Sequence, residues 1–347
     1  MFANLVFVAA VVSALASVAF ASRPQSIGGL AKSSYVSKLL GLSSAAAAVM
    51  VGSRVDAKVF FDTDVYGDKE LKIATVNKMK QKLRNLILSD VSIAPLLLEL
   101  SINDALGYDP VTTDGGPDGS VAFEVDRDGN KKFARVIDAI KDVQTELQRT
   151  NTVSFADLVS FGGSEALETV GCSRTIVQVG RFDAKKANIK ASLIDWDNLQ
   201  PSEASLDAFY LSGVDPKDIA LLLGALGETM RIAAETAAAA KTATKGEEEE
   251  EEEDQWQDKV PSTFGERSQA YGKKMGKADF GTSYLASISG KKGPAEGDAL
   301  GKLLLLDPKV RAFVQKYAGN GAAFAKEVPE AYLRLSLLGE AYTTRNS

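Results

Sequence analysis

A helical spacing of apolar side chains, about 3.6 residues apart, runs through nearly all of the chain beyond residue 58 and constrains its fold more than any other feature. In Asn130–Arg149 the apolar residues share one face of a helix and leave the other face polar. These residues are Phe133, Val136, Ile137, Ile140, Val143 and Leu147. Asp215-Pro216 and Asp307-Pro308 each read as an N-cap followed by proline at the first helical position. The pattern predicts a mostly α-helical domain of about ten helices with minimal β structure.

Caps and glycine stops set the expected helix boundaries. Helices are predicted over Asp68–Ser89, Ser92–Leu106, Ser154–Thr169, Pro216 to about Ala240, Pro308–Gly319 and Ala322–Leu338. The convincing β-branched stretch is Ser173–Gly180, for which we predict a short strand.

Two segments are typical of loops. Gly107–Gly129 contains Gly-Gly-Pro-Asp-Gly at 115–119, where several turn-forming residues follow one another. The segment 241–258 holds the uninterrupted acidic run Glu247–Asp254, whose mutual repulsion predicts a solvated, mobile loop. The alternative is a tail that docks a partner or binds cations. Trp256, beside the run, is expected to pack at the base of the loop or to meet a partner.

Composition excludes several classes of chemistry. The chain has no histidine, which is the commonest general acid/base and the commonest metal ligand near neutral pH. Triads built on histidine and histidine-ligated zinc or haem are therefore excluded. The single cysteine excludes an intramolecular disulfide and a CxxC pair. The net charge of −6 provides no basic footprint for nucleic acid, so DNA or RNA binding is not expected.

The first 57 residues have the composition of targeting segments. Leu5–Phe20 is an uncharged apolar run that fits a signal peptide over residues 1–19. Residues 20–57 are first serine-rich and free of acidic residues, and then contain a second apolar run, Leu39–Val51. This second segment is interpreted as a plastid transit sequence followed by a thylakoid-transfer signal. The alternatives are a secreted protein with a long pro-segment or a membrane-anchored N-terminus.

The region around the first cleavage site, Ser17–Ser22, resembles that of proteins sent to plastids of secondary, red-algal origin. The mature domain is expected to begin near Lys58, to extend over residues 58–347 and to contain no membrane span.

Six motifs occur in the order found in a known family. They are Ile93–Ala105, Tyr108-Asp109 with the glycine loop through Glu124, Val153–Leu158, Gly180–Asp183, Gly213–Leu221 and Leu306–Gly339. Together they resemble the class I haem peroxidases, ascorbate peroxidase most closely, and in particular the degenerate ascorbate-peroxidase-like protein of the thylakoid lumen. The resemblance covers about residues 68–341 and implies the two-lobed helical fold of haem peroxidases.

The resemblance also locates the positions of the family's catalytic and iron-binding residues. Asn103 stands at the distal histidine, Glu99 at the distal arginine and Ile102 at the distal tryptophan. On the proximal side, Leu226 stands at the iron-binding histidine, and the aspartate that would orient this histidine aligns near Gly301. The proximal tryptophan falls around Tyr271–Met275, a stretch without tryptophan.

These replacements predict that the peroxidase active site has lost its catalytic and iron-binding groups. Asparagine cannot take up a proton near neutral pH, and a glutamate brings negative charge where a peroxidase needs positive charge. Leucine cannot coordinate iron. We therefore expect no catalytic, cofactor-binding or metal-binding residues. Asn103 and Glu99 are expected to bond to each other or to trapped water, or alternatively to bind a small polar ligand or a cation.

A substitute axial ligand would have to be Met230, one turn from Leu226, or Cys172. Both residue types are more often part of a core. The retained motifs are expected to be structural: Asp157 braces a helix terminus, and Arg181 pairs with Asp183.

The resemblance implies a non-catalytic auxiliary subunit on the lumenal side of a photosystem, photosystem II above all. One alternative is a lumenal protein that binds ascorbate or a cation in the former haem pocket. The other is a haem peroxidase with a substitute axial ligand.

Overall fold

The computed structural model describes residues 69–127, 129–148, 152–188, 194, 199–246 and 280–339. This part of the chain forms ten α-helices and two 3₁₀ turns, Ser120–Phe123 and Lys131–Phe133, which confirms the predicted helical class. The helices are α1 (Lys69–Ser89), α2 (Ile93–Ala105), α3 (Ala134–Gln148), α4 (Phe155–Thr169), α5 (Glu203–Leu211), α6 (Pro216–Gly246), α7 (Ser283–Ser289), α8 (Ala299–Leu306), α9 (Pro308–Ala318) and α10 (Gly321–Ser336).

Helices α1 to α4 pack together around α2, whose closest neighbour is α4. Glycine permits this approach, because a Cβ atom on Gly163 would lie 2.1 Å from the Tyr332 hydroxyl and 2.3 Å from Ser101 Oγ. The Tyr332 hydroxyl donates to the carbonyl of Ser160 at 2.7 Å, which fixes α10 against α4. The side chains of α2 are consequently almost all buried.

Helix α6 is the centre of the second group and packs against α7, α8, α9 and α10. It also contacts α2 and so joins the two groups of helices. The expected caps form at α9, where Asp307 accepts hydrogen bonds from the amides of Lys309 and Val310. The core is continuous through both groups, and its largest fully buried side chains include Phe133, Phe161, Phe209, Tyr317, Phe324 and Tyr332.

The structure corrects two of the predicted elements. Ser173–Gly180 is not a strand: it has no ladder partner among the described residues, where one isolated bridge joins Asp109 and Asp114. Helix α6 continues to Gly246, six residues into the segment predicted as a loop, because alanine and lysine favour helix there.

Several predicted features lie outside the described residues: the targeting segments, the acidic run 247–254, Trp256 and the stretch 271–275. Within the part described, no helix combines the length and apolarity that crossing a membrane requires.

Candidate functional site

Helix α2 places Glu99 and Asn103 one turn apart, and both turn toward the segment 130–132. Glu99 is 1% exposed, and its Oε2 lies 2.5 Å from Lys132 Nζ. Asn103 Nδ2 donates to Asn130 Oδ1 at 3.2 Å, and Asn130 in turn donates to the carbonyl of Glu124 at 3.1 Å. The expected bond between Glu99 and Asn103 is therefore wrong: each has its own partner in the turn that precedes α3.

Asp104, the next residue on α2, supports the glycine loop from within the core. Its carboxylate accepts hydrogen bonds from the amides of Gly119 at 2.9 Å and Val121 at 3.4 Å. Burial, followed by the nearby charge of Asp118, raises the pKa of Asp104 well above its usual value. Gly119 has a φ of 74°, a conformation in which glycine is favoured. The predicted turns of this loop are present, and a buried carboxyl group holds them.

On α6, Leu226 lies wholly within the core. Its side chain is 0% exposed, and Leu222 and Leu223 are no more than 1% exposed. The Leu226 side chain itself is therefore enclosed by protein atoms on every side. Ile219, Leu222, Leu223 and Leu226 together form a buried apolar face of α6.

The surroundings of the two candidate substitute ligands, Met230 and Cys172, do not favour iron binding. Met230 is 37% exposed, so its side chain reaches solvent instead of a closed pocket. Cys172 is buried, and this burial raises the pKa of its thiol to about 12. The thiol is therefore neutral near pH 7, although the thiolate is the form that binds metals.

Tyr284 of α7 covers α6 beside Leu226. A Cβ atom on Gly227 would lie 2.0 Å from the Tyr284 ring, so only glycine permits this contact. The Tyr284 hydroxyl donates to Asp298 Oδ1 at 2.9 Å. Asp298 lies three residues before Gly301 and accepts the Gly301 amide, with Oδ2 only 2.4 Å from where a Cβ on Gly301 would be. Tyr284 and Asp298 thus fill the space that side chains at 227 and 301 would need.

Glu228, the residue after Gly227 on α6, binds the start of α7. Its carboxylate is completely buried and accepts the Tyr284 amide at 2.8 Å. Arg231 neutralises it, with Nη2 at 2.6 Å from Oε1. This side chain therefore caps α7 and sets the position of the Tyr284 ring.

The comparisons with known proteins agree with this architecture. The profile of the family described as peroxidase matches residues 79–320. The chain belongs to the peroxidase family. L-ascorbate peroxidase 3 of Arabidopsis thaliana is 27% identical over 269 residues, which cover 76% of this chain and 80% of that protein.

A second kind of relative is the thylakoid lumenal 29 kDa protein of chloroplasts. The protein of Solanum lycopersicum is 25% identical over 183 residues, covering 44% of this chain and 53% of its own length. The crystal structure of the TL29 protein from Arabidopsis thaliana superposes with a TM-score of 0.51 at 18% identity. That superposition covers 79% of this chain and 97% of the other, and it shows a shared fold.

The residues of this peroxidase-family chain do not fit the haem of its family. Haem needs a protein ligand to the iron and space beside this ligand. Leu226 offers no ligand atom, and its own fully buried side chain borders no open space. Among the described residues, no group of three histidine, cysteine or acidic side chains is arranged to hold a metal ion.

The family motifs that remain form buried braces. Asp157 and Arg181 are 2% and 3% exposed, and Arg181 Nη1 lies 3.0 Å from Asp157 Oδ1. Asp157 also accepts the Gly180 amide at 2.8 Å. Burial raises the pKa of Asp157, and Arg181 together with the Gly180 amide opposes this rise. The predicted ion pair between Arg181 and Asp183 is wrong: Asp183 instead accepts the Ala156 amide at 2.8 Å.

A pocket of about 200 Å³ lies between the start of α6 and the end of α10. Its walls are mostly apolar and include the ion pair Asp218–Arg334, with Oδ2 and Nε 2.6 Å apart. None of Glu99, Asn103 and Leu226 lines it. This pocket is therefore a feature separate from the positions of the family's reaction centre.

Sequence reasoning located Glu99, Asn103 and Leu226, but it missed the residues that neutralise or cover them. Lys132 and Tyr284 are distant in the chain, and no motif marks them. The Gly227 position carried a usable signal, since glycine in the middle of a long helix often marks a close approach.

Proposed function

We propose that this chain is a peroxidase-fold protein without peroxidase activity that acts as an auxiliary subunit in the thylakoid lumen. In this proposal it associates with the lumenal face of a photosystem, and photosystem II is the expected partner. Its role is structural: it contributes a rigid helical body and contact surfaces, and no chemical step.

The observation that carries the proposal is the state of Leu226. The position that supplies the iron ligand in the resemblance holds an aliphatic side chain that is fully enclosed by core residues. On the opposite side, Glu99 and Asn103 are engaged by Lys132 and Asn130 and are not arranged to cleave a peroxide. Binding of ascorbate or a cation there has no support, because these side chains already have protein partners.

The proposed location has separate support. The N-terminus reads as three consecutive targeting segments, and the pattern at residues 17–22 favours a plastid of red lineage. Relatives carry the names thylakoid lumenal 29 kDa protein and L-ascorbate peroxidase T, chloroplastic. The proposed mature protein begins near Lys58.

Haem titration of the purified protein tests the absence of activity. We expect no Soret band after removal of unbound haem and no ascorbate-dependent consumption of hydrogen peroxide. An authentic ascorbate peroxidase treated in parallel is the positive control. Stoichiometric haem with peroxide turnover would overturn the proposal and favour a haem enzyme.

Fractionation of thylakoids tests the partner. We expect the protein in the lumen and, after mild solubilisation, in the fractions that contain photosystem II. Recovery as a free lumenal protein under conditions that keep a known lumenal subunit attached would contradict the association. Co-migration with photosystem I alone would replace the expected partner.

A further inference from the structure

The segment Ser173–Gly180 is extended on the surface although it has no neighbouring strand. Its side chains alternate as in a half-buried strand: Thr175 and Val179 are 2% and 4% exposed, whereas Ile176 is 59% exposed. Val177 is half-buried and Gln178 is exposed, which continues the alternation. Strand-like alternation and β-branched residues are therefore both present, and a pairing partner is what this segment lacks.

The main chain in the middle of this segment has unused hydrogen-bonding groups. Within the described part of the chain, the amides of residues 176–179 donate no hydrogen bond. The carbonyls of Ile176, Val177 and Val179 accept none there. Unpaired groups in a row are the template to which another chain adds a strand.

Both ends of the segment are fixed to the protein. The Thr175 amide donates to Glu168 Oε1 at 2.9 Å, and the Gly180 amide donates to Asp157 Oδ2 at 2.8 Å. Arg181, which follows, is held by Asp157 and donates to the carbonyl of Ser336 at 2.5 Å. Residues 176–179 are thus held extended from both sides, which lowers the conformational entropy that pairing would cost.

The charges around the segment favour an acidic partner. Arg174 within the segment and Lys185 and Lys186, which follow it in the chain, are exposed, as is the acidic residue Asp183. Glu168 and Asp157, which bind the ends of the segment, are already neutralised by cations of this chain. Phe182, two residues beyond the segment, is a second apolar side chain that is more than half exposed. An extended segment with alternating apolar and acidic side chains matches this surface in hydrogen bonding, polarity and charge.

We infer that Ser173–Gly180 is a docking edge at which an acidic, extended segment of a partner protein adds as a β-strand. This inference rests on the proposed role as an auxiliary subunit and identifies the surface through which it associates. Its test does not depend on haem or peroxide, so it can fail while the proposed function stands.

The test uses the full chain and a synthetic peptide of about eight residues in which valine and glutamate alternate. Fluorescence anisotropy measures binding, and hydrogen–deuterium exchange follows the amides of residues 176–179. We expect the peptide to slow exchange at these amides and to bind more weakly as salt rises. The same peptide with alternate amides methylated, and a valine–lysine peptide, should bind at least about tenfold more weakly.

Two variants localise the binding. Ile176→Asp should weaken binding by about tenfold or more, because it removes an apolar contact and adds a repulsive charge. Val111→Asp is the matched control: Val111 is 56% exposed in another loop, so its substitution should leave affinity within about twofold. Both variants should unfold at the temperature of the parent protein.

Three outcomes would overturn the inference. They are no binding at all, binding without slower exchange at 176–179, and equal binding by the methylated peptide. Slow exchange that depends on protein concentration without any peptide would assign the edge to a second copy of this chain and would also refute an acidic partner.

Discussion

At the scale of single residues, Leu226 shows how one apolar side chain at the position of the iron-binding histidine becomes part of the hydrophobic core. The neighbours of Leu226 in the helix register, Leu222 and Leu223, are equally enclosed, so the apolar face of α6 passes through this position without interruption. A polar side chain introduced here has no water and no evident partner.

Substitution of Leu226 by histidine tests this closure. We expect Leu226→His to lower the free energy of unfolding by about 3 kcal/mol, because a polar ring is buried without a hydrogen-bond partner. We also expect the variant to bind no haem. Leu226→Met, which keeps an apolar side chain of similar volume, should cost less than about 1.5 kcal/mol. Denaturant unfolding and haem titration measure both effects.

A histidine variant with parental stability and a stoichiometric Soret band would show that the interior opens for haem. That result would also remove the main support for the proposed function.

The sequence predicted the fate of Leu226 better than that of Glu99. Leu226 belongs to a continuous helical stripe, and its burial follows from periodicity within a single element. The ion pair of Glu99 with Lys132 depends on how the turn before α3 approaches α2, and this approach is a tertiary property. The arrangement of long-range polar partners could not be read from local pattern.

At the scale of elements, the packing of α7 on α6 depends on two glycines, which differ in the kind of atom that an added Cβ would meet. A Cβ atom on Gly227 would lie 2.0 Å from the Tyr284 ring, which its bond to Asp298 holds in place. A Cβ atom on Gly224 would lie 2.9 Å from Leu285 Cδ2, the end of a flexible side chain.

We therefore expect Gly227→Ala to destabilise the protein by about 2 kcal/mol or more, since overpacking exceeds the gain in helix propensity. Gly224→Ala should be within about 1 kcal/mol of the parent, because Leu285 can rotate away. Thermal or urea unfolding provides the comparison. In a Tyr284→Leu background the cost of Gly227→Ala should fall; an unchanged cost would contradict the contact.

Helices α1 and α4 are joined by a buried cluster of charges. Glu165 is completely buried and pairs with Lys80 at 2.9 Å and Arg84 at 2.7 Å, and burial raises its pKa. On the surface, Lys82 and Glu146 form a comparable pair between α1 and α3.

Lys80 and Arg84 also pair with Glu168, at 3.0 and 3.1 Å. Glu165→Ala should lower the free energy of unfolding by about 2 kcal/mol, because it removes the fully buried partner of these two cations and leaves them with Glu168 alone. Glu146→Ala, the control, should cost less than about 1 kcal/mol, since exposed pairs contribute little. If Glu165→Ala and Glu146→Ala lowered the free energy of unfolding equally in urea, burial would not explain the stronger contribution assigned to Glu165.

Long amphipathic helices were the most predictable elements. Helices α1, α2, α4 and α9 have strong periodicity or caps, and their bounds agree with expectation. The short helix α7 was not foreseen, because the cap that starts it is Glu228, which lies more than fifty residues earlier. The extended segment 173–180 shows the converse: its composition favours a strand, but no second strand lies beside it.

At the scale of the whole molecule, buried carboxyl groups make stability depend on pH. Burial raises the pKa values of Asp104, Asp118, Glu124, Asp157 and Glu165. A carboxyl group with a raised pKa stays protonated in the folded state at pH values at which it has lost its proton in the unfolded state. These groups therefore contribute stability that is present below about pH 4 and is lost as pH rises through the raised values.

We expect the free energy of unfolding to fall as the pH rises above the ordinary carboxyl range of about 4, because of these groups. Asp104→Asn should make this fall shallower, since the most strongly raised group is removed. Asp90→Asn is the control of opposite sign, because hydrogen bonds from Ser92, followed by Arg135, lower the pKa of Asp90. Urea unfolding at several pH values measures the slopes, and an unchanged slope in Asp104→Asn would contradict the assignment.

The order of the motifs predicted the family and the fold of the whole molecule, because six weak matches in the same order arise by chance less often than any single match. The fold of the family could not predict which side chains fill the interior around Leu226. The ring of Tyr284 and the carboxylate of Asp298 compensate for lost side chains from other positions, and such compensation leaves no motif.

The closed interior at Leu226 has a consequence for how the protein matures. A chain that holds a prosthetic group gains folding free energy from it, and its stability then varies with the supply of that group. Here the chain's own side chains complete the interior, so folding receives no such contribution at this position. Completion of the core at this position therefore does not depend on a supply of haem.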